Sequence, residues 1–550
     1  MKQIFRYSLF FLALNFNTVT SQDKLTENQK LFATAKVWGF LKYYHPNVAA
    51  GKFDWDNQLF QILVKIEEVD SKEELSTIYL NWVESLGDFD RCKKCHKKSK
   101  EEYFDKNFDL SWLQDGSILN GRLGQTLEFI KDNRYIGKHH YINQNARVGN
   151  IIFTNEPVYN LFSWEDENLR VLALFKYWNM IEYFYPYKYM TDQSWDNVLV
   201  EMIPKFLHPK SELDYHLAML ELVVNLDDSH AGLSTEVLDD YFGMKYIPVI
   251  HQLVENKAVI TRLYNDSLAK LNDMRIGDII TKVGNTKISE IIARNENYIQ
   301  GSNKRAKEAY AWNKIFNGNN DSLKLEFKRN DSSMIKVVAR YLFSDFDYKK
   351  ENRPKARVLE DNIGYINMGE VENKDFSHMA DTLFNTKALI LDIRNYPKES
   401  VLSSLPILNT NDSKPFYKAL IPDLSFPGKF FWKSGDIYQN SRNQKYKGKI
   451  VLLVNERTIS LAEFICMYLQ ASSNSTTIGS TTLAADGDIS PIHLVGEFKT
   501  WMSGIGIFYP DGTETQRKGV KIDLVVNPTI NGIRQGRDEV LEKAIEIINQ

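Results

Sequence analysis

Two stretches in the first half of this chain repeat each other in register, and a chain that does this must build one unit twice. Lys36-Val-Trp38, with Tyr43 and Pro46, recurs as Lys176-Tyr-Trp178, with Tyr183 and Pro186. Trp55-Asp-Asn57 recurs as Trp195-Asp-Asn197, and Leu86-Gly-Asp88 as Leu226-Asp-Asp228. All pairs share an offset of 140 residues (Trp38 to Trp178, Trp55 to Trp195, Asp88 to Asp228). The apolar spacing is helical, so a duplicated helical region is expected. The copies diverge at their ends: the first closes on Phe89-Asp90, the second on Ser229-His230.

At 550 residues the chain exceeds one core. We divide it into a leader (1–21), a mostly helical domain with the first copy and a mixed insert (22–160), the second copy carrying Asp228-Ser229-His230 (161–240), a small β-domain (241–345) and an α/β core (346–550). The leader has a basic end at Lys2 and Arg6, an apolar run from Tyr7 to Phe16, and a small-residue cleavage site at Val19-Thr-Ser21. This is the pattern of a secretory signal, and its apolar run is too short to span a bilayer. An exported protein, periplasmic or extracellular and without a transmembrane segment, is expected. A net charge of −3 gives no electrostatic reason for a nucleic-acid partner. Neither a Gly-rich phosphate loop nor H-E-x-x-H occurs, and no cofactor or metal is expected.

Cys92-Lys-Lys-Cys95-His96 matches the haem c attachment pattern, which predicts a Soret band. No second axial ligand can be argued from the sequence. A local Cys92–Cys95 disulfide in an oxidising compartment is the preferred reading. Cys466 lies on an apolar helix face and reads as a buried thiol. His139-His140, adjacent on a strand-like segment, would point to opposite sides and reads as a surface pair.

From about Phe242 the period shortens to that of strands. Asn265 to Ile288, with Arg275-Ile-Gly277-Asp278-Ile-Ile and Gly284, resembles a PDZ domain. That resemblance implies an extended peptide captured by strand addition, often by its terminal carboxylate. Beyond residue 346, strands and helices alternate, which argues for a mostly parallel sheet. Ile450-Val-Leu-Leu-Val454 is a buried strand, Asn455 to Ile459 a turn, and Ser460 opens a helix, with Glu463 completing an S-x-x-E capping box. Ser460 then sits beside backbone amides that have no intrahelical acceptor and can serve an oxyanion. Alone, such a serine is an N-cap; as a nucleophile it needs a base, and His230 is the best placed of ten histidines.

The order of these parts resembles the C-terminal processing (tail-specific) serine peptidase family. The resemblance covers about Leu220 to Asn549: D-S-H at 228–230, the PDZ-like domain, I-G-Y-I at 363–366, L-I-L-D-I-R at 389–394, the Ser460 segment and the final strand at Gly519 to Val526. It implies a multidomain α+β chain ending in a ClpP/crotonase-like core. It also implies a serine endopeptidase acting on protein or peptide substrates. Ser460 is the implied nucleophile, with the amides of Leu461 and of Tyr396, after Arg394, as oxyanion donors. Ala485 stands where one branch of the family has a catalytic lysine. The tricorn-like branch, of the kind found in exported Bacteroidetes members, implies His230 as base with Ser229 beside it. The acid orienting the histidine falls at Gln516, with Glu514 as the substitute. The chain departs from the family at Gln516 and at Arg394-Asn-Tyr396-Pro, where a glycine pair is usual. The alternative reading is a peptide-binding protein on the same fold with weakened or lost catalysis.

Overall fold

The computed structural model describes residues 24–96, 100–346, 354–410, 415–436 and 445–550; the leader at 1–21 lies outside them. Six helices make up the framework of the first half: α1 (Glu27–Tyr44), α2 (Trp55–Ile66), α3 (Lys72–Ser85), α4 (Glu167–Phe184), α5 (Trp195–Leu207) and α6 (Glu212–Val224). The last three start 140 residues after the first three. Each is capped by an oxygen-bearing side chain (Thr26, Asp54, Ser71, Asp166, Ser194, Ser211) that accepts an amide from its first turn. Nearly every side chain of α1 and α4 is buried, so neither needs a one-sided apolar stripe.

The contacts repeat as well as the helices. The Trp38 and Trp55 indoles each donate to the other's carbonyl, at 3.1 and 3.2 Å. Trp178 and Trp195 do the same at 2.8 and 2.9 Å. Across the two units the partners are exchanged. Lys36 pairs with Asp196 at 2.8 Å and Lys176 with Asp56 at 2.6 Å, while the Tyr43 and Tyr183 rings meet edge-on at 5.2 Å. Residues one offset apart thus touch or swap partners, as they would about an approximate twofold axis.

The β-domain is an antiparallel sheet in the order β5-β4-β3-β2-β1: β1 (Val249–Val254), β2 (Lys257–Leu263), β3 (Ile279–Val283), β4 (Ser322–Arg329) and β5 (Ser332–Ala339). Helix α7 (Lys304–Tyr310) packs beside β1, which is an edge strand.

The core sheet runs β6-β7-β8-β9-β10-β11: β6 (Ala356–Leu359), β7 (Ile363–Asn367), β8 (Ala388–Asp392), β9 (Lys449–Val454), β10 (Ser475–Gly479) and β11 (Leu524–Val525). Only the β6–β7 pair is antiparallel. Alternate side chains explain the unbroken apolar runs of β8 and β9. Leu389, Leu391, Ile450 and Leu452 pack with helix α8 (Leu461–Gln470), and Ile390, Val451 and Leu453 with helix α9 (Glu539–Asn549). Gly479 ends β10 at φ 135°, where a Cβ would lie 1.9 Å from the Val454 carbonyl oxygen, so no other residue fits. A second sheet joins Pro415–Pro422, Phe430–Asp436 and Gly506–Phe508 to Tyr103–Phe104, a strand lent by the insert of the first half. One sequence expectation fails: His139 is buried, against the ring of Tyr135, so the His139-His140 pair is not a surface pair.

Candidate active site

Ser460 stands between the carboxyl end of β9, in the middle of the sheet, and helix α8, where a doubly covered sheet places its ligands. Its backbone is at φ 56° and ψ −123°, a region costly for a residue with a Cβ. Strain of this kind holds a hydroxyl out at the top of a strand-to-helix turn. The turn is pinned: Thr458 Oγ1 donates to the Ile393 carbonyl at 3.1 Å, which sets the segment after β8 beside it.

The carboxylate of Glu463 accepts the Ser460 amide at 3.2 Å, the Ala484 and Ala485 amides at 3.1 and 3.0 Å, and the Thr482 hydroxyl. Burial pushes this carboxyl up to about 7 against the pull of those donors. In return the Ser460 amide donates to the Ala485 carbonyl at 2.9 Å. The strap 482–488 is thereby clasped, through residues 482–485, under the Ser460 turn.

The loop after α6 holds the strap from the other side. Ser229 Oγ donates to the Leu483 carbonyl at 2.7 Å, and Ser229 and Ser302 exchange amide-to-hydroxyl bonds at 2.8 and 2.9 Å. His230 follows. Its Nδ1 lies 2.9 Å from Ser503 Oγ and 3.6 Å from Asp228 Oδ1, while its buried Nε2 has no hydrogen-bond partner among the described residues. Burial lowers its pKa, which Asp228 and then Asp488, on the strap, pull back up. The Leu483 and Ala485 carbonyls are two residues apart, at most about 7 Å of chain. The histidine loop and the Ser460 turn therefore meet on one short segment.

The remaining expected residues fall elsewhere. Gln516 is fully buried, with Nε2 directed to Tyr185 and Ser302 and Oε1 without a partner. Its expected place at the imidazole Nδ1 is taken by Ser503 and Asp228. Glu514 pairs with Lys518 at 2.8 Å and faces Tyr189. Tyr396 is 54% exposed on the segment after β8, and Leu461 opens α8 with an amide that no earlier turn can use. Ala485 is buried, with its amide and carbonyl both spent on the nucleophile turn. Cys92 and Cys95 form a disulfide, and Cys466 is a buried thiol. Among the described residues no cluster suited to a metal ion occurs.

Two grooves reach this centre or flank it. One, of about 320 Å³, is bounded by β1 (Ile250 to Leu253), α7 and Trp312, and closes on Glu456, Arg457 and Leu483 beside the nucleophile turn. Arg305 of α7 pairs with Glu456 at 3.5 Å across it. A larger cleft of about 1320 Å³ runs on the other face of the β-domain, to Ile530 and Arg534.

Residues 362–526 match peptidase family S41, a span that includes Ser460 and the strap. That stretch of the core is similar to the S41 family of peptidases. Of solved structures, mature CPAF is 14% identical over 70% of this chain and 98% of its own, with a TM-score of 0.55. A CPAF mutant covers the same shares at 14% identity with a TM-score of 0.57. The photosystem II D1 C-terminal processing protease is 16% identical over 66% of this chain and 94% of its own, at 0.40. Among curated proteins none matches this chain. In this core the Ser460 turn was legible as a strand, a turn and a capped helix. Asp228 was legible only as the first residue of D-S-H, without a role, and Ser503 not at all, because the partner of a carboxylate 275 residues away leaves no local pattern.

Proposed function

We propose that the protein is an exported serine endopeptidase in which Ser460 is the nucleophile and His230 its general base. Ser460 Oγ attacks the scissile carbonyl as its proton passes to His230 Nε2, which then gives it to the leaving amine; water hydrolyses the acyl-enzyme by the same route. The Leu461 amide, with a second amide from the segment at Tyr396, receives the oxyanion. The observation that carries this reading is the strap 482–488, clasped by the nucleophile turn on one side and the histidine loop on the other, with a buried imidazole nitrogen that bonds to nothing.

On this reading the helical half is a duplicated unit whose second copy supplies the base. The β-domain acts as a PDZ-like module, adding a substrate tail to the β1 edge and feeding the chain along the α7 groove to Ser460. Ser460→Ala should abolish casein cleavage and labelling by a fluorophosphonate probe, and activity persisting in that variant would dismiss the assignment. A wild type that neither cleaves nor labels would leave only the peptide-binding reading. Export is checked by mass spectrometry of the mature protein, whose first residue should be Gln22 if the leader ends at Ser21.

A further inference from the structure

The two nitrogens of His230 have different surroundings, and that difference decides which can act. Asp228 is buried, and its carboxylate is fixed by two main-chain donors: Oδ1 accepts the His230 amide at 3.0 Å and Oδ2 the Ser503 amide at 2.7 Å. Oδ1 also lies 3.6 Å from Nδ1, at ion-pair rather than hydrogen-bond range, and Ser503 Oγ stands at 2.9 Å from the same nitrogen. A carboxylate that only accepts favours the tautomer with its proton on Nδ1. Nε2 then keeps its lone pair. We propose that Asp228 and Ser503 are the positioning residues of the Ser460–His230 reaction, fixing the ring's tautomer and orientation in the place the family would give to residue 516. This rests on the serine–histidine reading above.

The step balances without a further reactant. As the bond forms between Ser460 Oγ and the carbonyl carbon, the hydroxyl proton moves to Nε2, and the imidazolium so made faces the Asp228 carboxylate. The proton leaves to the amine as the carbon–nitrogen bond breaks, and Asp228 stays ionised throughout. Among the described residues, the other charged or titratable groups around the ring are Asp488 on the strap, with Arg147 and Glu399 beyond it, and Tyr177, Tyr185, Tyr187 and Tyr310 on the side of Asp228. Gln516 is turned away toward Tyr185 and Ser302.

The test is the rate of fluorophosphonate labelling and of peptide cleavage against pH, for the full chain and for Asp228→Asn, Ser503→Ala, Ser503→Thr, Gln516→Ala, His230→Ala and Ser460→Ala. Asp228→Asn should slow labelling by on the order of 10⁴-fold, as loss of the triad carboxylate does elsewhere, and move the acid limb to lower pH. Ser503→Ala should cost roughly tenfold in kcat with KM unchanged, as one lost hydrogen bond to the ring would, and Ser503→Thr should restore most of it. Gln516→Ala should leave the pH profile in place. Should thermal melting show Asp228→Asn unfolded, Ser503→Ala decides alone, since its main-chain bond to Asp228 survives. If His230→Ala is dead while Asp228→Asn and Ser503→Ala keep wild-type rates and pH profiles, the positioning assignment is overturned and the serine–histidine reading stands. If His230→Ala labels at the wild-type rate, both fall.

Discussion

At Ser460 the backbone is held where glycine is at ease and serine is not. Substituting glycine removes the hydroxyl and the strain together, so Ser460→Gly should be inactive yet more stable, by about 1 kcal/mol, in urea unfolding. His230 carries the opposite kind of cost. Its pKa is lowered by burial, so the neutral ring survives below the usual histidine range, and the acid limb of kcat/KM should lie below about pH 6.5. The same shift has a stability sign: a group depressed in the fold contributes fully above its unfolded value, and that contribution is lost as the pH falls through it. Sequence reading singled out both residues as candidates, one from a strand that runs into a capped helix, the other from the place where two matching segments cease to match. It missed the surroundings. The family resemblance pointed to Gln516, whereas the group that meets the imidazole is Ser503, 273 residues from the histidine.

The strap and its clasp belong to the next scale up. Four donors converge on Glu463, and replacing its carboxylate with an amide puts an NH2 group against at least one of them. Glu463→Gln should therefore lower stability by about 2 kcal/mol in urea unfolding and reduce labelling of Ser460 at least tenfold, because the turn loses its anchor. Its carboxyl, pushed by burial to about 7, is worth most to the fold below the ordinary carboxyl range near 4.5, and that stabilisation is lost as the pH rises through 7. His230 and Glu463 thus pull in opposite directions, and the melting temperature should be highest in the weakly acidic range between them. The strands β8 and β9 were readable because a sheet covered on both faces makes every position apolar. The S-x-x-E pattern located the Glu463 clasp on the Ser460 amide. The pattern could not announce the three further donors on the strap, since those meet Glu463 only once β10 is in place.

Over the whole molecule, the helical half and the core are tied by a strand lent to the second sheet and by Ser229 at the strap, while within the helical half ion pairs are exchanged between segments 140 residues apart. Lys176 is 2% exposed between Asp56 and Glu156, each 6% exposed, so Lys176→Met leaves the buried Asp56 carboxylate without its cation and Glu156 with Lys42 alone. The expected cost is about 3–5 kcal/mol, read as a fall in melting temperature, with the cysteine bridge intact. The 140-residue offset made the repeat visible from the start, but not the exchange, because matching segments look alike whether each keeps its own partner or takes its twin's. That exchange constrains how the protein can be dissected. A fragment beginning at residue 161 would retain every group named for the chemistry, yet Lys176 would enter it with no counter-charge and Asp196 would have lost Lys36. Anyone trimming the chain to a minimal peptidase should expect to carry the first copy along, however remote it lies from the scissile bond.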